Sequence, residues 1–188
     1  MPSELFDPDE VTLARRAKDD PAAFAELYRR HVEHVYRYLL MRTGHNEDAQ
    51  DLTAQTFMAA LEHISSYQPR GAFRLWLLGI ARHKVADFYR KHRITLSLDT
   101  LETIPHPDPL PDEAVSRRLE LEQVTEALRR LSPERAEAFT LRVFGECTAA
   151  EIGQIMGKSE AAVKMLVHRA WQDLRRLVPA ALREGDAL

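Results

Sequence analysis

An all-α protein is predicted, built of two small helical domains joined by a proline-rich acidic linker, the second domain carrying a helix-turn-helix. Three observations predict it. Apolar residues recur at three- and four-residue steps along most of the chain, with no convincing strand alternation. Pro105, Pro107, Pro109 and Pro111 alternate in IPHPDPLPDE, which excludes a helix there and favours extended polyproline geometry. Residues 148–177, TAAEIGQIMGKSEAAVKMLVHRAWQDLRRL, read as a short helix, a glycine turn and a longer basic helix.

In chain order, Asp20-Pro21 is a cap followed by proline at the first helical position. Phe24, Leu27, Tyr28, Val32, Val35, Tyr36, Leu39 and Leu40 then carry a helix to about Met41, and Gly44 breaks it. A second helix is expected from about Glu47 to Ile64, with Ala49, Leu52, Phe57, Ala60 and Leu61 inward. Pro69-Arg70-Gly71 breaks again. A third helix follows to about Arg93 on Phe73, Trp76, Leu77, Ile80, Val85 and Phe88.

Residues 1–93 are therefore expected to form one domain, 94–116 an extended linker and 117–188 a second domain. Roughly 24 linker residues at ~3.1 Å each would reach about 75 Å. At 3.4 Å per base pair, the two domains could engage DNA sites up to about two helical turns apart. Helix resumes from about Arg117 to Leu131. Ser132-Pro133 starts the next helix, with Ala136, Phe139, Val143 and Phe144 inward.

The 148–177 unit follows. Thr148-Ala-Ala-Glu151 has the capping-box form, in which hydroxyl and carboxylate satisfy each other's backbone amides. Ile152, Ile155 and Met156 make one apolar face, and Gly157 supplies a turn residue that tolerates positive φ. Gly153 stands where a side chain would hold crossing helices apart. Ser159 caps a second helix with Val163, Leu166, Val167, Ala170 and Leu174 inward. Lys158, Lys164, His168, Arg169, Arg175 and Arg176 lie largely off that stripe, against only Glu160 and Asp173. Such a helix suits a DNA major groove, where Lys and Arg neutralise phosphates and Arg reads a guanine edge. From charge alone, a helical hairpin with a solvated basic face fits as well.

The formal net charge of −3 argues against a DNA binder until it is divided by segment. Residues 67–93 carry seven Lys/Arg against Asp87 alone, whereas residues 99–126 carry eight acids against Arg117 and Arg118. Residues 1–26 hold seven acids against Arg15, Arg16 and Lys18. Basic surfaces for nucleic acid are thus separated from acidic segments. The lone Cys147 excludes an intramolecular disulfide and a multi-cysteine zinc site, and suits a small buried position. MPSELFDPDE has no apolar core, so no signal peptide is expected there, and no apolar run approaches a membrane span. A soluble, cytoplasmic protein is expected, without cofactor, metal or small-molecule substrate.

DAQDLTAQTFMAAL (residues 48–61), FRLWLLGIARHKVADFYRK (residues 73–91) and the terminal helix-turn-helix, in that order, resemble a bacterial RNA polymerase sigma factor of the extracytoplasmic-function (ECF) type. The resemblance implies a chain that directs core polymerase to promoters and opens them, and that is not an enzyme. It implies docking of the first motif on the β′ clamp helices through Asp48, Asp51 and Gln55, although Gln50, Ala54 and Gln55 depart from the family's more acidic pattern. It implies minus-10 binding and melting by Arg70, Arg74, Arg82, His83 and Lys84 around the loop 67–72, with His83 where asparagine is common. A pocket or stacking surface there would hold an extruded base; Trp76 and Phe88, at helical spacing, fit the core better. Minus-35 recognition falls to Ser159, Lys164, His168 and Arg169. The linker would run past the active centre toward the RNA exit path, and an anti-sigma factor would be the usual inhibitor.

Two other readings are open to the residues. A ligand-sensing regulator would bind an operator unaided, but leaves the basic helix at 73–93 unexplained. A metal enzyme would start from His31-Val-Glu-His34, yet no Glu-x-x-His or HExxH accompanies it. A solvated histidine pair accounts for it better.

Overall fold

A computed structural model of the chain describes residues 8–68, 72–96 and 112–177. The helices are α1 (Pro8–Arg16), α2 (Pro21–Thr43), α3 (Asn46–His63), α4 (Phe73–Leu96), α5 (Asp112–Arg129), α6 (Pro133–Val143), α7 (Ala149–Met156) and α8 (Glu160–Leu177). A 3₁₀ turn, Ile64–Ser66, ends α3, and no strand occurs among the described residues. Helix α1 was not anticipated. Its apolar contribution is small, mainly Leu13 and Ala14 with Ala17 just beyond, set among charges. Nine residues make too short a window for periodicity to register.

The punctuation of the sequence does what its chemistry dictates. Asp20 Oδ1 accepts from the Ala22 amide at 2.9 Å ahead of Pro21. Gly44, at φ 78°, ends α2 in the left-handed conformation, its amide donating to the Leu40 carbonyl at 2.8 Å. Helix α4 reaches Leu96 and α5 starts at Asp112, so both ends of the expected 94–116 linker are helical. Asp112 and Glu113 favour a helix start through the macrodipole. The four alternating prolines lie outside the described residues.

Helix α2 is the hub, packed against α1, α3, α4, α5 and α6. Its Leu27, Val35, Tyr38 and Leu39 are wholly buried. Six successive residues of α6, 136–141, are buried, which no amphipathic helix with one apolar stripe would show. The cause is that α6 lies between two cores. Ala138 and Leu141 join Cys147, Ile152 and Val163 in a core shared with α1–α4. Ala136 and Phe139 join Ala127, Leu128, Leu131, Ala170 and Leu174 in the other. Burial pushes the Cys147 thiol up to about 12, consistent with a packing role.

Two inward assignments and one solvated one need correction. Leu61 is 52% exposed and Val143 37% exposed. Val143 faces out because α6 turns its 138–141 side toward α2. His31 is buried rather than solvated, its Nε2 2.6 Å from Glu10 Oε1 of α1. The other Glu10 oxygen accepts from the Phe73 amide at 3.0 Å, so α1 caps the start of α4. Burial raises the Glu10 carboxyl, but the His31 contact and the Phe73 amide more than offset it and hold the group below its ordinary value. No group of three or more metal-ligating side chains is assembled among the described residues.

Candidate nucleic-acid interface

The helix-turn-helix is built from local hydrogen bonds. The Thr148 amide donates to Glu151 Oε2 at 2.6 Å, and the Glu151 amide donates to Thr148 Oγ1 at 3.3 Å, completing the capping box. Gly157 takes φ 66°, and the next amide, Lys158, returns to the Gly153 carbonyl at 2.9 Å. A Cβ at Gly153 would stand 2.7 Å from the Lys158 carbonyl oxygen, a backbone atom that cannot swing aside. Gly153→Ala is therefore expected to cost about 1–3 kcal/mol by overpacking the turn, read as a lower urea midpoint at unchanged slope.

Ser159 Oγ accepts from the Ala162 amide at 3.2 Å and caps α8. Val163, Ala170 and Leu174 are buried, so α8 faces outward with Lys164, His168, Arg169, Arg175 and Arg176, all exposed. Lys164 Nζ reaches Glu160 Oε1 at 2.7 Å and His168 Nε2 lies 2.9 Å from Gln172 Nε2. Exposed ion pairs of this kind are weak and yield readily to phosphate. Met165, half exposed, and Gln172 share the face. Sequence reasoning passed over both because it sought positive charge, yet three- and four-residue steps from Ala161 lead through Met165 and His168 to Gln172.

The expected minus-10 residues are divided by the structure. Arg70 lies outside the described residues. Arg74 and Arg82 are half-buried on α4, and His83 is exposed, with its Nδ1 2.7 Å from the Gly79 carbonyl. Lys84 stands about 200° around the helix from Arg82 at 100° per residue, so the two flank opposite sides. A cavity of about 440 Å³ opens between Tyr67, Ala72, Trp76, Ile80 and His83 on one wall and Gln154 and Ile155 of α7 on the other. Trp76 packs at 4.9 Å from Tyr67 and 5.3 Å from Phe73, ring centre to ring centre, so it serves the core and also lines this cavity. Burial, and secondly the Glu10 charge, push the Tyr67 phenol up to about 12.

The second domain lies across this face. Arg82 Nη1 donates to the Ile155 carbonyl at 3.4 Å and Arg74 Nη2 to the Glu146 carbonyl at 3.3 Å. Sequence reasoning placed both arginines on the strand side without this partner, because contacts across 72 or more residues leave no local pattern.

On α3, Asp51 and Gln55 are exposed and Asp48 is half-buried. Met58, at 63% exposure, and Leu61 continue the same face, and Tyr28 beside them stands edge-on to Phe57 at 4.7 Å. An acidic start running into exposed apolar side chains suits a protein partner better than DNA.

Residues 27–94 match the family model for sigma-70 region 2, and residues 121–174 match that for sigma-70 region 4. The chain is 37% identical to the ECF RNA polymerase sigma factor BldN of Streptomyces coelicolor over 173 residues, covering 90% of this chain and 66% of BldN. It is 33% identical to the ECF sigma factor SigM of Bacillus subtilis over 155 residues, 81% of this chain and 93% of SigM. Among solved structures, CnrH in complex with the cytosolic domain of CnrY is similar at a TM-score of 0.70 and 25% identity, over 96% of this chain and 100% of that one. With two region models in order and SigM matched over 93% of its length, the chain belongs to the sigma-70 family of RNA polymerase sigma factors, in its ECF group.

Proposed function

We propose that this chain is the promoter-specificity subunit that core RNA polymerase uses at one set of promoters, contributing recognition and strand opening rather than catalysis. The observation that carries the reading is the α8 face, where Lys164, His168 and Arg169 stand exposed opposite buried Val163, Ala170 and Leu174. That face reads the minus-35 element, with Ser159 at the helix start against a phosphate. Arg70, Arg74, Arg82 and His83, with the cavity beside Tyr67, take the opened minus-10 strand, and Lys84 meets it from the other flank. Asp48, Asp51 and Gln55 dock on the β′ clamp helices, joined by Met58 and Leu61. The working division is residues 1–93 for polymerase and minus-10, 94–116 for the linker and 117–188 for minus-35. The chain works in the cytoplasm, beside polymerase, and no helix among the described residues is long and apolar enough to cross a membrane. CnrH is solved in complex with the cytosolic domain of CnrY, and an anti-sigma factor is proposed as a partner of this chain.

Transcription with purified core enzyme tests this reading. The chain should copurify with core and start at discrete promoters, while nanomolar operator binding by the chain alone at physiological salt would favour the ligand-sensing regulator. Within the holoenzyme, Arg169→Ala should cost about 1–3 kcal/mol at the preferred promoter and flatten discrimination at one or two upstream positions. Arg176→Ala, two turns further along α8, should weaken all sequences alike and lower the salt slope by about one. Promoter-variant libraries transcribed with each mutant compare the two. A reversed pattern would remove α8 from the groove in this orientation.

A further inference from the structure

Glu146, in the loop between α6 and α7, is the one non-glycine residue with positive φ among the described residues, at 52°. A glutamate takes that conformation only where its surroundings hold it. Its Oε2 lies 3.4 Å from His34 Nε2 and 3.9 Å from Arg74 Nη1, its Oε1 3.9 Å from Arg37 Nη1, and its carbonyl accepts from Arg74 Nη2 at 3.3 Å. One acidic residue of the second domain thus draws three nitrogen-bearing side chains of α2 and α4 toward it. Basic nitrogens converging at ion-pair distance on one anion are also how a nucleic-acid backbone phosphate is met.

The neighbouring residues press the same way. A Cβ at Gly145 would stand 2.8 Å from the Leu141 carbonyl oxygen of α6 itself and 3.3 Å from Leu78 Cδ1 of α4, so glycine is set first by the tight exit from α6, with α4 close beside it. Gln154 and Ile155 then wall the cavity beside Tyr67, and the Ile155 carbonyl takes the Arg82 guanidinium.

We infer that the α6–α7 loop is an intramolecular phosphate mimic: Glu146 and α7 occupy the cationic face on which an opened promoter strand would lie, so the free chain binds single-stranded DNA less tightly until its domains part. The inference rests on the proposed minus-10 role of that face and adds to it a competitor carried in the same chain. Glu146 and Arg37 are each about half exposed, at 50% and 48%, so these pairs are worth little in water and a polyanion displaces them readily. A catch of this strength competes with adventitious single strands and weakens their binding severalfold without preventing opening on polymerase.

The test uses the full chain, a mixed-sequence single-stranded DNA oligonucleotide at low salt, and two variants. Glu146→Gln removes the charge and keeps the side chain's length. Glu146→Gly removes the charge and relieves the positive φ, so it remains folded if the loop is sensitive. Both should bind the oligonucleotide at least threefold more tightly than the wild type and show a larger radius of gyration in solution scattering. Adding Arg74→Ala should abolish the gain. Unchanged affinity and unchanged radius in both variants, with the wild type transcribing normally on core polymerase, overturn the phosphate-mimic inference alone. Failure of the wild type to transcribe with core overturns the promoter reading and this inference with it.

Discussion

Glu137→Ala is expected to lower the unfolding free energy by about 3 kcal/mol, near the lower end of what removing one partner of a buried ion pair costs. Glu137 is 7% exposed, takes the Tyr38 hydroxyl at 2.7 Å and lies 3.4 Å from Arg42 Nη2. Its removal strands a wholly buried phenol and leaves Arg42 without its counter-charge. The figure stays low in the range because the Arg42 side chain keeps 15% exposure and can turn toward water. Glu137→Gln, which preserves an acceptor for Tyr38, should lose about half as much. Urea unfolding followed by circular dichroism separates the variants, and a loss under about 1 kcal/mol for the alanine would mean the pair is solvated. Burial, and then the Glu137 charge, push Tyr38 well above its ordinary 10.0, so the neutral phenol is the form the fold holds. That contribution is present below pH 10.0 and is lost as pH rises beyond it.

Asp51→Lys combined with Met58→Asp should weaken competition for core polymerase at least tenfold while leaving the helix content intact. Both residues are exposed on α3, Met58 at 63%, so neither change disturbs the buried Ala49, Leu52, Phe57 and Ala60 side. One change reverses a charge and the other puts a charge at an apolar contact, and desolvated central contacts of that kind carry most of an interface's energy. Competition against a second sigma factor measures it. Undiminished competition by the well-folded double mutant would remove this face from the polymerase interface. Asp48, which is half-buried, makes a poorer probe, since its reversal would mix docking with stability.

The local punctuation was readable from residues alone. Asp20-Pro21, Gly44, the Thr148–Glu151 box, Gly157 and Ser159 each cap or turn where their chemistry demands, because a cap depends on partners within about four residues. The exposed basic face of α8 followed from 3.6-residue periodicity for the same reason. Glu137 and Glu10 escaped notice, since a carboxylate on a helix reads as solvated until the helix packed against it is known. Leu61 erred the other way: an apolar residue at helical spacing reads as core, and here it extends an exposed patch with Met58.

The sequence by itself determined the all-helical class, the order of helices α2 to α8, the helix-turn-helix and which side of α8 carries its cations, all consequences of interactions within a turn or two of chain. Tertiary structure alone decided that α6 lies between two cores, that Glu10 of α1 caps α4, and that Glu146 and Ile155 lie over Arg74 and Arg82. Those contacts join residues separated by 63, 72 and 73 positions, and partners so distant leave no periodic trace in either segment.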